Sequence, residues 1–177
     1  MRHVGIKLAV IGALVLFGCA GQIQTTSTYD DSADFAAYRT FAQAPPPTYA
    51  TDIPLYNEDT ARKIQEKIAS NLQKKGLEPA NWEEADLQVA FMLGGQERQD
   101  VEYWSGWAWY GPGELTTENY VQGSLVIDIA DRAKERLIWH GYGSENLFSQ
   151  TSSDETFKEA VDAILAKYPP PGVTSSK

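Results

Sequence analysis

The stretch from residue 121 to 142 constrains the fold more than any other part of the chain. Val121, Gly123, Leu125, Ile127 and Ile129 face one way, while Gln122, Ser124 and Asp128 face the other. A period of two is that of a strand with one side turned to a core. Asp131-Arg132-Ala133-Lys134 is polar and turn-like, and Arg136 to Tyr142 then alternates again with Leu137 and Trp139 on one side. The two runs predict an antiparallel hairpin.

The rest of the pattern places helices and further strands around that hairpin. Thr25 to Asp30 and Thr40 to Ala42 read as short strands, with Asp34 to Tyr38 as a turn or helical corner between them. Pro45-Pro46-Pro47 forces an extended connection, because proline fixes φ and disfavours helix in the residue before it. Asn57 is a helix cap, Glu58 and Asp59 suit the first turn, and Gly76 is the expected stop. Between them Ala61, Ile64, Ile68 and Leu72 form one apolar stripe. Asp86 to Leu93 turns wholly apolar, as an interior strand does. Ser152 and Glu155 have capping-box spacing at the head of a last helix, whose buried stripe is Phe157, Val161, Ile164, Leu165 and Tyr168 and whose end is Pro169-Pro170-Pro171.

Strands, helix, strands and helix in that order predict an α+β fold, a mostly antiparallel sheet of four to six strands with two helices packed on one face. Leu125, Ile127, Leu137 and Trp139 of the hairpin are expected to lie under Ile64, Ile68, Val161 and Leu165. At 177 residues the chain has room for one sizeable domain, expected over 28–171 with a disordered tail at 172–177.

The N-terminus predicts an address. Arg2, His3 and Lys7 precede a ten-residue apolar run from Leu8 to Phe17, too short to span a bilayer and right for a signal-peptide core. Leu16-Phe17-Gly18-Cys19 resembles a bacterial lipobox, in which cleavage precedes a cysteine that carries diacylglycerol; Phe17 stands where that pattern usually has a small residue. An ordinary secretory signal containing a cysteine is the plainer alternative. The lipoprotein reading makes 1–18 the signal, Cys19 the lipidation site and 19–27 a flexible tether. Ala20 after the cysteine favours the outer membrane, with the domain facing the periplasm. Cleavage removes Arg2 and Lys7 with 18 of the 177 residues, leaving 159 and shifting the formal charge from −9 to −11. An acidic domain adds no attraction to anionic lipid, so the acyl chains must hold it.

Several stretches together resemble a known family. Gly123-Ser124-Leu125-Val126-Ile127-Asp128-Ile129-Ala130-Asp131 with Leu137-Ile138-Trp139-His140-Gly141 is similar to the signature hairpin of the bacterial domain of unknown function 4136 lipoproteins. So are Tyr29-Asp30, Asp34-Phe35 and Tyr38-Arg39-Thr40-Phe41; Lys75-Gly76-Leu77 before Ala85-Asp86-Leu87; and Ile164 to Pro170, all in the family's order. His140 departs from it, since a basic residue such as arginine is common there. The resemblance implies an exported, lipid-anchored α+β domain and supplies no catalytic residues.

Composition narrows the chemistry. A net charge of −9 gives no basic footprint for nucleic acid, and one cysteine excludes a disulfide framework and a cysteine-based zinc site. His140, mid-strand, reads as a satisfied or exposed strand histidine ahead of a general base. Asp30, Asp31 and Asp34 lack the spacing of a calcium loop and read as turn formers, and Asp128 and Asp131 read as flanking a tight turn. No cofactor or metal is implied, and the expectation is not an enzyme.

One stretch resists that reading. Tyr103, Trp104, Trp107, Trp109 and Tyr110 put five aromatics into eight residues, broken by Gly106 and followed by Gly111-Pro112-Gly113. The rings either fold over the sheet or a core edge, or form an exposed platform for a glycan, a lipid surface or a protein. The expected function is therefore a non-catalytic, lipid-anchored envelope protein that binds or scaffolds an unknown envelope partner. The alternatives are a glycan-binding module on 103–110 and a cryptic hydrolase.

Overall fold

The computed structural model describes residues 23–46, 56–94, 123–144 and 153–170. Eight elements follow in order: β1 (Gln24–Tyr29), β2 (Thr40–Gln43), α1 (Glu58–Lys74), β3 (Glu78–Pro79), β4 (Leu87–Gly94), β5 (Ser124–Asp131), β6 (Arg136–Ser144) and α2 (Asp154–Leu165). β1 begins inside the stretch expected as a tether. The strands form one six-stranded sheet in the order β1-β6-β5-β4-β2-β3. β1–β6, β6–β5 and β5–β4 are antiparallel, whereas β2 pairs in parallel with both β4 and β3. The α+β class is as the sequence predicts. The parallel pairs come from the β2–α1–β4 passage, in which a helix returns the chain to the same end of the sheet.

Each helix forms for local reasons. The Asn57 side chain accepts from the Thr60 amide at 3.0 Å, and Glu58 and Asp59 lie at the positive end of the α1 dipole. Gly76 takes φ +89°, a conformation that glycine adopts without cost, and closes α1. At α2 the cap is Ser153, one residue later than expected, because Ser153 and Thr156 bond reciprocally to each other's backbone amides. The helices are fastened side by side by Lys63–Asp154, by Lys67–Asp162 at 2.6 Å and by Asn71 donating to Asp162 at 2.8 Å.

The core lies between both helices and one face of the sheet. Ala61, Ile64, Ile68 and Leu72 of α1 and Phe157, Ala160, Val161, Ile164 and Leu165 of α2 meet Leu87, Val89, Phe91 and Leu93 of β4, Leu125, Ile127 and Ile129 of β5, and Trp139 of β6. Leu137 is not among them. A bulge between β5 and β6 makes Ile129 oppose Trp139 but Ala130 oppose Leu137, so Leu137 turns to the far face. An extra residue in one strand reverses which side each later residue takes. Ser124, Val126, Asp128, Ala130, Leu137, His140 and Tyr142 lie on that far face and are buried too.

Candidate functional site

Asp30, Tyr38, Thr40, Asp86 and Asp131 of the family-like stretches collect at one end of the sheet. This is where β1 and β5 finish and where β2, β4 and β6 begin. Asp86, just before β4, accepts the amides of Arg39 and Thr40 on one carboxylate oxygen at 2.8 and 3.0 Å, and its own amide donates to Thr40 Oγ1 at 2.9 Å. That exchange holds the start of β2 against β4. Burial pulls the Asp86 carboxyl upward, but the two amides and the nearby Arg132 charge outweigh it and hold it below the usual carboxylate range. Arg132 donates from Nε to the Ala85 carbonyl at 2.7 Å.

Two further carboxylates work the same way. Asp131 Oδ2 accepts from the Tyr38 hydroxyl at 2.7 Å, while its Oδ1 accepts the Lys134 amide at 3.0 Å and so closes the hairpin turn. Asp30 Oδ1 accepts the amide and hydroxyl of Ser32 at 2.9 and 2.6 Å, and Arg136 pairs with its other oxygen. Both titrate below the usual range: burial raises them, and these hydrogen bonds with the neighbouring Lys134 charge lower them further. Asp34 accepts the Ala36 amide at 3.2 Å. Asp30 and Asp34 are therefore turn formers, as their spacing predicts. Under this node Phe35 sits edge-on to Tyr29, Tyr38 and Tyr168, and Tyr168 edge-on to Trp139.

The far face holds the one histidine–carboxylate pair among the described residues. His140 Nδ1 lies 2.7 Å from Asp128 Oδ1, and both side chains are buried. Asp128 thus does not flank the turn; it opposes His140 in mid-strand, three residues before β5 ends at Asp131. A carboxylate on one imidazole nitrogen fixes the ring's orientation, the arrangement used to position a base. Ser124, the buried hydroxyl on the same face of β5, stands four residues up the strand, about 13 Å away at strand rise. It is beyond reach of His140; the pair itself makes a polar contact between β5 and β6. The bulge hides this pairing from sequence: a hairpin extended evenly from Asp131–Arg136 would set Asp128 against Trp139.

Cys19 and the aromatics Tyr103, Trp104, Trp107, Trp109 and Tyr110 lie outside the described residues, as do the signal at 1–18 and the tail at 172–177. Among the described residues no group of three or more histidine, cysteine or acidic side chains is placed to hold a metal, and no helix is long and apolar enough to cross a membrane.

Fold and site define an α+β domain in which polar residues at one end of the sheet tie its strand ends and turns together. The chain belongs to the family described as Domain of unknown function (DUF4136), whose model matches residues 25–170. Among solved structures it is similar to a DUF4136 family protein from Bacteroides thetaiotaomicron, with TM-score 0.61 and 21% identity over 83% of this chain and 96% of that one. It also resembles a PDZ domain protein from Parabacteroides distasonis, with TM-score 0.54 and 17% identity over 84% of this chain and 36% of that one. A PelC dodecamer from Paraburkholderia phytofirmans matches with TM-score 0.49 and 9% identity over 82% and 96%. No curated protein matches the chain.

Proposed function

We propose that this chain is a lipid-anchored protein of the bacterial outer membrane, facing the periplasm, whose domain is a non-catalytic interaction or scaffolding module. The signal-type head ending in Gly18-Cys19 supports the anchor. The observation that carries the module reading is the bonding of the family-like residues. Asp30, Asp86, Asp131 and Tyr38 direct their polar atoms to backbone amides, turns and each other, so they serve the shape of the domain. The sequence implies no nucleic acid, metal or cofactor as partner.

Metabolic labelling with a palmitate analogue tests the anchor. The wild type is expected to be marked, and Cys19→Ser to remain unlabelled and unprocessed. An unlabelled wild type would sink the anchor. Crosslinking in intact cells, followed by identification of what co-purifies, tests the module reading.

The aromatic density of 103–110 favours a second reading, a glycan-binding module, because tryptophan and tyrosine offer large contact area with few torsions to freeze. Replacing Trp104, Trp107 and Trp109 with alanine is then expected to abolish retention on cell-wall glycan with little loss of thermal stability. A triple variant that unfolds would show that the rings are core.

A further inference from the structure

The outer edge of β1 is unpaired among the described elements. β1 is the terminal strand of the sheet and pairs on one side only, with β6. The Asp30 amide donates to the Ile138 carbonyl at 2.9 Å in the same register. In an antiparallel ladder the bonding direction alternates, so the backbone groups of residues 24, 26 and 28 turn inward, and those of Thr25, Ser27 and Tyr29 point away from the sheet. No described element pairs with that outward side. The opposite edge is blunted, since β3 is two residues long and one of them is Pro79. β1 has six residues without a charge, a proline or a glycine, and Thr26, Thr28 and Tyr29 are exposed. Proteins usually guard such an edge.

We propose that this edge pairs with β1 of a second copy of the chain, antiparallel about a two-fold axis at Ser27. This rests on the interaction-module reading and names its partner. The outward backbone groups belong to odd-numbered residues, so odd must face odd: Ser27 opposes Ser27, and Thr25 opposes Tyr29. On the far face Thr26 then opposes Thr28. Threonine–threonine and threonine–aromatic pairs are favourable across strands. Asp30 falls opposite Gln24, so no like charges meet. For a chain of net charge −9 that matters, because an uncharged strand is where two acidic copies can approach. A single strand pair buries less than the roughly 1,000 Å² of a stable interface, so the pairing is weak in dilute solution and is favoured when both copies are confined to one membrane.

Oxidant-catalysed crosslinking of the full chain in envelope membranes tests the pairing. Ser27→Cys brings two cysteines together at about 5.5 Å between Cα atoms, within disulfide reach. Two Thr25→Cys residues would stand four residues apart, about 13 Å, and out of reach. Ser27→Cys is expected to give a covalent dimer and Thr25→Cys none. Adding Thr25→Pro to Ser27→Cys should abolish the dimer without unfolding the domain, because the Thr25 amide points outward and β6 does not use it. Circular dichroism of each variant checks the fold. No dimer from Ser27→Cys, equal yields from the two cysteines, or a product with a different protein would each overturn the proposal. A dimer formed by the wild type would mean that the Cys19 thiol is free. That overturns the anchor, and the β1 comparison is then made in a Cys19→Ser background.

Discussion

Gly141 sets the tightest steric limit in the core. A methyl group there would meet Trp139 Cη2 at 2.1 Å and Ile164 Cγ2 at 2.6 Å. The indole lies over the strand two residues on, and α2 seats Ile164 on the same spot. Gly141→Ala is expected to cost about 1–3 kcal/mol or more, because the ring has nowhere to move. Trp139→Ala should cost about 3–5 kcal/mol, since the side chain is fully buried. Urea titration measures both, and a Gly141→Ala variant as stable as wild type would mean that the ring does not hold this position. On the other face, His140→Leu leaves the buried Asp128 side chain without its imidazole partner, at a cost of about 1–3 kcal/mol. The double variant Asp128→Leu with His140→Leu is expected to be more stable than His140→Leu alone. If the two losses simply add, the pair is not coupled. The alternation showed that Trp139 faces the core. It did not show Gly141 as the reason the ring fits, because a missing side chain leaves no mark on a hydrophobic pattern.

At the scale of elements, legibility followed the range of the forces. α1 was readable at both ends because Asn57, Glu58, Asp59 and Gly76 act on their own first and last turns. β5 and β6 were readable from alternation, but the bulge that moves Leu137 to the far face was not. Whether one strand gains a residue depends on packing across the sheet. β3 and the parallel placement of β2 were invisible for the same reason. β2 is four residues long, and its partners lie 38 and 46 positions away, at Glu78–Pro79 and Leu87–Val89. What replaces alternation as the guide there is Asp86. Its two amide bonds fasten β2 to β4 before the ladder starts, so Asp86→Ala orphans the amides of Arg39 and Thr40 and should cost about 1–3 kcal/mol. Amide exchange is the discriminating measurement: protection at Phe41 to Gln43 should fall in the variant while that of β5 and β6 is kept. Uniform loss across the sheet would mean that Asp86 does not act locally.

The whole molecule brings Asp30, Asp86 and Asp131 of the family-like stretches to one end of one sheet, although they are far apart in the chain; Asp128 alone stays in mid-strand on the far face. Single turns explain Asp30 and Asp34 from sequence alone. The ties of Asp86 to Arg39 and Thr40, and of Asp131 to Tyr38, exist only once the sheet has formed. The candidate binding residues could be picked out as a cluster of aromatics, but composition does not settle whether such rings are covered. The gathered carboxylates predict how the domain responds to acid. Asp30, Asp86 and Asp131 all titrate below the ordinary carboxylate value: burial opposes the charge in each, and hydrogen bonds with nearby cations more than compensate. A depressed folded pKa means that the unfolded chain takes up the proton first. The stabilisation is then complete above the unfolded value near ~3.9 and is lost as pH falls through the folded values. The carboxylate contribution should therefore be level from about pH 7 to 5, and the urea midpoint should drop steeply below about pH 4. Asp86→Asn keeps an acceptor for the two amides but cannot be protonated, so its midpoint should start lower at neutral pH and fall less steeply in acid. Parallel acid limbs for the two proteins would mean that the Asp86 bonds do not stabilise the folded state in solution.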